Sequence, residues 1–369
     1  MLIPGVPVLR GWGKGESIRQ DTLPQPFPFL SGNQAIFTCG REALYFGLRL
    51  LEKLPETAHI PGYCCRSVLT PFKKLGIKIK FYDVGKHLEP IINKNVLKEG
   101  DLFFIIHYFG IPQPLSSIKL LCDQLGLILI EDCAHALPDP ETRRPMGCTG
   151  VFSIYSLRKQ LPVPDGGILV VNKTALKSRL QVTPKIKLRN TSKKKSLVMF
   201  FDKAAFWAGW PNTLKIKDAL RGKVASTEQV FYSKILNNDS IPEISYTTAK
   251  TLAHINFKKI AKIRRENYYW LANKLNDIPQ ISFPFPKLPD GAVPQGLPIL
   301  VEDARNVCTA MRGKGIGVDQ WPANEFPDIE KKNFPRAYYW NNHLLLLPIH
   351  QDLSLRHLEY CAKVLVGIL

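Results

Sequence analysis

Residues 150–172 read GVFSIYSLRKQLPVPDGGILVVN, and two neighbouring basic residues in them, Arg158 and Lys159, decide what the chain can carry. A strand-like run, Gly150–Ser156, leads to this pair. A Pro-Asp-Gly-Gly turn and a second apolar run follow. Ser153 lies five positions before Arg158, on the first run, and could face a phosphorylated aldehyde together with a lysine. An arginine cannot hold a carbonyl compound covalently, because its guanidinium stays protonated with a pKa above about 12. A lysine can, once its ammonium is discharged.

Outward from this stretch, strand-like and helix-like segments alternate between about residues 35 and 172. AIFTC (35–39) reads as a strand and GREALYFGLRLLEKL (40–54) as a helix with apolar residues at helical spacing. AHIPG (58–62) precedes a helix near SVLTPFKKLG (67–76), and KIKFYDV (78–84) is a strand. DLFFIIHYF (101–109) and LILIEDC (127–133) read as buried strands flanking the helix SSIKLLCDQLG (116–126). The alternation predicts an α/β fold with a large, mostly parallel sheet covered by helices. Past a basic and aromatic insert at about 184–240, the run from Thr247 to Ile278 predicts one long amphipathic helix. LPILV (297–301), EDARNVCTAMRGKG (302–315), HLLLLPIH (343–350) and the last seventeen residues predict strand, helix, strand and helix of a small C-terminal α/β domain. The expected division is 1–245 and 246–369.

Bulk properties narrow the function. The chain has 369 residues, 45% hydrophobic and 22% charged, as in soluble globular proteins. No apolar run reaches the roughly 18 residues of a membrane span, and the opening MLIPGVPVLRGWGKG does not read as a signal peptide. Eight cysteines without a C-x-x-C pair suit reduced thiols in a cytoplasm, with neither a disulfide framework nor a metal site. The formal charge is +19, partly concentrated in PKIKLRNTSKKK (184–195). Aromatics do not interleave with these lysines as on a nucleic-acid platform. By itself the run reads as a solvated loop that aids solubility; together with MFFDKAAFWAGWP (199–211) it reads first as a helix at a subunit interface. Peripheral membrane contact through 184–210 is the lesser reading.

Four further stretches offer chemistry. In FTCGREALYFGL (37–48) a strand opens through Gly40 into a helix, whose N-terminal amides and dipole suit a phosphate, with Arg41 as a charged donor. Asp132 ends an apolar strand, where open α/β sheets place ligands, and a buried carboxylate needs a partner such as a protonated heterocyclic nitrogen. His135 follows three residues on. His107, among aromatics in HYFG (107–110), is read as a hydrogen-bonded core residue. No phosphate-binding G-x-x-x-x-G-K-[ST] is present.

In order, CGREAL, IPGYCC, HYFG, EDCAHA, FSIYSLRKQLPVPDGG and LPIHQDLS resemble the motifs of the DegT/DnrJ/EryC1/StrS family of sugar aminotransferases, with the pyridoxal-phosphate (PLP) fold of type I. The resemblance implies that Asp132 pairs with the cofactor's ring nitrogen and that His135 stands near its hydroxyl. It implies a phosphate site of Gly40, Arg41, Glu42 and Ser153, and a ring-stacking position at Tyr63 or Cys65. It also implies a Schiff-base lysine that moves a proton. Strict spacing from Ser153 or from Asp165 puts Arg158 at that lysine's position; a one-residue bulge puts Lys159 there. The implied function is PLP-dependent amino transfer to a keto-sugar, nucleotide-linked in keeping with the positive charge, with an amino acid such as glutamate as donor, in a cytoplasmic homodimer. The segment NNDSIPEISYTT (237–248) stands where that family reaches into the neighbouring site, without its motif. A dehydratase-type enzyme and a non-catalytic binding module are the alternatives.

Overall fold

The computed structural model describes residues 1–8, 33–139, 141–142, 146–181, 187–190, 193–210, 214 and 243–369. Its centre is an eight-stranded sheet. In chain order the strands are β1 (Asn33–Phe37), β2 (Thr57–Pro61), β3 (Lys78–Val84), β4 (Pro90–Ile91), β5 (Leu102–Ile106), β6 (Ile128–Cys133), β7 (Phe152–Ser156) and β8 (Gly167–Val171). In space they run β1-β8-β7-β6-β5-β2-β3-β4. The five from β7 to β3 are mutually parallel; β8 is antiparallel to both its neighbours, and so is the short β4. Every residue of β2, β5, β7 and β8 is buried, which is why these runs read as near-continuous apolar stretches.

Helices α1 (Gly40–Arg49), α2 (Thr70–Lys74), α3 (Leu115–Gln124) and α4 (Thr174–Gln181) fill the connections. Helix α1 packs on β7 and β8 so closely that a Cβ on Gly47 would lie 2.7 Å from the Phe152 ring. Strand β8 passes the start of α1 as tightly: a Cβ on Gly167 would lie 2.1 Å from the Cys39 backbone, and Gly166 before it has φ +120°. The Gly-Gly pair of the turn meets both demands.

After β9 (Lys187–Arg189), α5 (Lys193–Ala208) and β10 (Glu243–Ser245), the expected long helix proves to be two, α6 (Tyr246–Ala253) and α7 (Phe257–Leu275). Asn256 makes the break: its side chain accepts the Lys259 N–H and caps a new helix. The first half of α7 buries Phe257, Ile260 and Ala261 against the sheet domain. Its second half buries Tyr268, Leu271 and Leu275 in a separate cluster with the two-stranded sheet β11 (Gly296–Leu300) and β12 (Leu344–Pro348). Helices α8 (Ala304–Gly313), α9 (Pro335–His343) and α10 (Leu355–Val366) complete this part. Ile3, near the N-terminus, joins it by bridging Ile316. Among the described residues no helix is long and apolar enough to cross a membrane. Much of the basic insert, including 182–186, 191–192, 211–213 and 215–242, lies outside the described residues, as does 237–242 of the NNDSIPEISYTT segment.

Candidate active site

Pleat alternation sets the two faces of the sheet's C-terminal edge. Asp132 pairs with Ile154 and Glu131 with Ser153. Ile154 faces the core under α1, so Asp132 and Ser156 share that face, whereas Ser153 lies on the other. A Cβ on Gly40 would lie 3.7 Å from the Ser156 Cβ, while Ser153 Oγ is close to Gly147. The expected placing of Ser153 beside the α1 start is therefore corrected: Ser156 is the hydroxyl there. Strict alternation from Phe152 signals this in the sequence.

Gly40, Arg41 and Glu42 form the first turn of α1, whose first helical bond runs from Ala43 N–H to the Cys39 carbonyl. The Glu42 carboxylate is turned away from an anion. It accepts the Thr38 N–H (2.9 Å) and hydroxyl (2.7 Å), fixing the entry into the helix. Glu42 could therefore offer a phosphate its backbone amide, not its side chain.

Asp132 is buried, and its Oδ1 accepts the Ala134 N–H at 2.8 Å. Burial raises its pKa, opposed by the Lys159 charge. Lys159 ends a 3₁₀ turn, Leu157–Lys159. Burial of its ammonium lowers its pKa, partly offset by attraction to Asp132 and Cys65. The same ammonium also acts on His135, whose pKa burial already pushes well down. Arg158, by contrast, is exposed and lines a cavity of about 250 Å³ with Leu2, Val8, Leu161, Arg312 and Asp319. The two basic residues thus differ: Arg158 is exposed, whereas Lys159 is near enough to Asp132, His135 and Cys65 for their charges to act on one another.

His135 is held as a neutral ring. Its Nδ1 accepts the Phe109 N–H at 3.2 Å, which leaves the proton on Nε2. Phe109 stacks on it at 5.7 Å and Trp321 meets it edge-on at 4.8 Å. Tyr63 is a core residue instead of a stacking surface: it is fully buried, and its hydroxyl donates to the Trp321 carbonyl at 2.5 Å. That corrects the Tyr63 half of the expected stacking pair. Cys65 is the partly exposed member, with Sγ 3.0 Å from Ser67 Oγ.

A second shell of bonds fixes the lysine turn. Gln160, next to Lys159, donates its side-chain amide to the His135 carbonyl. Its own carbonyl accepts from Arg264 Nη2 (2.9 Å) and Gln351 Nε2 (3.3 Å). Arg264 is wholly buried on α7 and also donates to the Pro294 and Gln295 carbonyls and to Gln351 Oε1. Burial pushes its pKa down to about 9, against the pull of Asp352. At the turn's far end, Asp165 accepts hydrogen bonds from the Ser245 and Thr248 hydroxyls (2.8 and 2.5 Å). Neither Arg264 nor Trp321 carries a local sequence signal, because long-range packing alone brings them here.

On the other face, His107, Glu131 and Cys133 lie within 4.8 Å of one another. The Glu131 carboxylate is already committed to His107 Nε2 (2.9 Å) and the N–H groups of Gly147, Thr149 and Gly150. His107 Nδ1 accepts the Gln113 N–H, as a core histidine does. Burial alone would raise the Glu131 pKa, but the hydrogen bonds from His107 and from the Gly150 and Thr149 amides bring it below its ordinary 4.5. A carboxylate depressed on folding stabilises the fold above its unfolded value and loses that contribution as pH falls through the folded value. Urea midpoints of wild type should therefore drop below pH 4.5 more steeply than those of Glu131→Gln. Parallel curves would show that Glu131 is not the acid-labile clamp.

A large α/β sheet with a lysine turn, a strand-end aspartate and an open helix start at one edge defines the fold of type I PLP-dependent aminotransferases. Residues 84–206 match the model of the DegT/DnrJ/EryC1/StrS aminotransferase family, a stretch that includes HYFG, EDCAHA and FSIYSLRKQLPVPDGG. The chain is 30% identical over 83 residues to GDP-perosamine synthase of Vibrio cholerae, a stretch covering 22% of this chain and 23% of that protein's length. It is similar in structure to the aminotransferase TlmJ of Streptoalloteichus hindustanus, with a TM-score of 0.63 and 18% identity over 90% of this chain and 85% of the other. It is also similar to E. coli GDP-4-keto-6-deoxy-D-mannose-3-dehydratase with bound hydrated PLP, with a TM-score of 0.63 and 13% identity over 91% and 88%.

Proposed function

We propose that the chain is a PLP-dependent aminotransferase acting on a nucleotide-linked keto-sugar, with an amino acid such as glutamate as donor, working as a cytoplasmic homodimer with domains divided near residue 245. The observation that carries this reading is the electrostatic coupling of Lys159 with Asp132 and His135, while Arg158 is exposed. The residues fit the cofactor. Asp132 is a buried carboxylate with a single backbone donor on one oxygen, and such a group calls for a cation. The α1 start and Ser156 would hold the phosphate, and His135 Nε2–H would donate to the ring hydroxyl. PLP, when bound, supplies the electron sink and carries the amino group. The chain supplies the base: the Lys159 amine takes a proton and returns it.

Titrating the protein with PLP, then treating it with borohydride and mapping peptides by mass, tests this. A visible band fixed by reduction on the peptide at Lys159 supports the reading; PLP that never becomes covalent overturns it in favour of dehydratase-type or non-catalytic chemistry. Because the Lys159 pKa is lowered, its free amine is present at lower pH than an ordinary lysine's. The amino-transfer rate should rise with pH through an acid limb below 10.5, the ordinary lysine value. Replacing Asp132 with Asn removes an attraction that holds the Lys159 charge, so the limb should move further down.

A further inference from the structure

Helix α5 is apolar on two sides. One side is docked: Ala205 and Phe206 are buried with Leu2, Val8 and Leu214, and the Phe206 ring stacks on His357 at 5.4 Å. The other side is bare. Leu197 is 56% exposed, Phe200 66%, Phe201 56% and Trp207 66%. Spacings of three, four and ten residues put these four on one stripe, and Trp210, 63% exposed, follows just beyond the helix. A surface helix normally turns polar residues outward, and a continuous apolar stripe marks a docking surface.

Charge selects the occupant. The sequence from 184 to 195 has six basic residues and no acidic one, α5 begins within it at Lys193, and the whole chain carries +19. Anionic lipid headgroups would neutralise such a run of basic residues. Phenylalanine and tryptophan beside lysine is the composition of a helix lying in a headgroup layer. With 16 residues, α5 is about 24 Å long at about 1.5 Å per residue. That is short of the roughly 30 Å hydrocarbon core, so the helix can lie on a bilayer and cannot cross it.

We infer that α5 docks the enzyme on an anionic membrane surface, with Leu197, Phe200, Phe201 and Trp207 entering the interface. The test is co-sedimentation of the full chain with vesicles of phosphatidylcholine, with and without phosphatidylglycerol. Brominated phosphatidylcholine in the mixed vesicles reads quenching of tryptophan emission. Binding to the anionic vesicles only, weakened by salt, with quenched emission, is the expected result. The triple variant Phe200→Ser/Phe201→Ser/Trp207→Ser, checked for folding by circular dichroism, should bind at least about tenfold more weakly, since three aromatic anchors are lost. Three outcomes overturn the inference. They are no partition of the wild type, unchanged partition of the variant, and a wild-type dimer that the variant converts to monomers without any lipid binding. The last would assign the stripe to a second copy.

Discussion

Replacing Lys159 with alanine is expected to lower the amino-transfer rate by about a thousandfold or more, because under the proposed function one side chain would supply both the cofactor's attachment and the proton-moving base. Arg158→Ala should leave the rate within a few-fold of wild type, since Arg158 is exposed. Kinetics alone do not distinguish loss of chemistry from loss of fold, so the Lys159 variant should also be titrated with PLP. It should bind the cofactor reversibly and give no reduced adduct. If Arg158→Ala is the inactive variant and Lys159→Ala the tolerated one, the strict spacing governs the site and the turn's geometry has been misread.

The second large effect is on stability. Arg264→Met keeps the bulk of the side chain on α7 but strips donors from the carbonyls of Gln160, Pro294 and Gln295 inside the protein. Buried acceptors left unmet cost about 1–3 kcal/mol each, so a loss of about 3 kcal/mol or more is expected in urea unfolding. The variant should also show an altered pH profile, because Gln160 ties the Lys159 turn to His135. Arg264→Lys retains the charge without the planar fork and should recover part of the stability. A variant as stable as wild type would mean that water replaces the guanidinium with ease.

The sheet was largely legible because its central strands are buried on both faces and so stand out as apolar runs, as in Leu102–Ile106 and Ile128–Cys133. Asp132 and Lys159 stood out as candidates because chemistry narrows what a strand-end carboxylate and a lysine before a Gly-Gly turn can do. Less was visible where the pattern continues through a break. The apolar periodicity from Thr247 runs on past Asn256, and only the capping bond to Lys259 divides the helix. Ser153 misled for the opposite reason: spacing to the basic pair was weighed above the strand's own alternation, which favours Ser156. Tyr63 was ambiguous because an aromatic at a strand end suits a cofactor wall or a core equally. Its partner Trp321 comes from the other end of the chain.

The short 3₁₀ turn at Leu157–Lys159 has a consequence for how such proteins diversify. A strand cannot absorb an extra residue without swapping its faces, but a turn between two anchored strands can. Here Ser156 pairs with Gly167, and Asp165 is clasped by Ser245 and Thr248, so both ends of the segment stay put whatever its middle does. Insertions and deletions there can shift a reactive side chain along the gene while leaving it in the same place in space. Spacing rules anchored on the flanking motifs will then assign the wrong residue, and lineages that look inactivated in an alignment can retain their chemistry one position away.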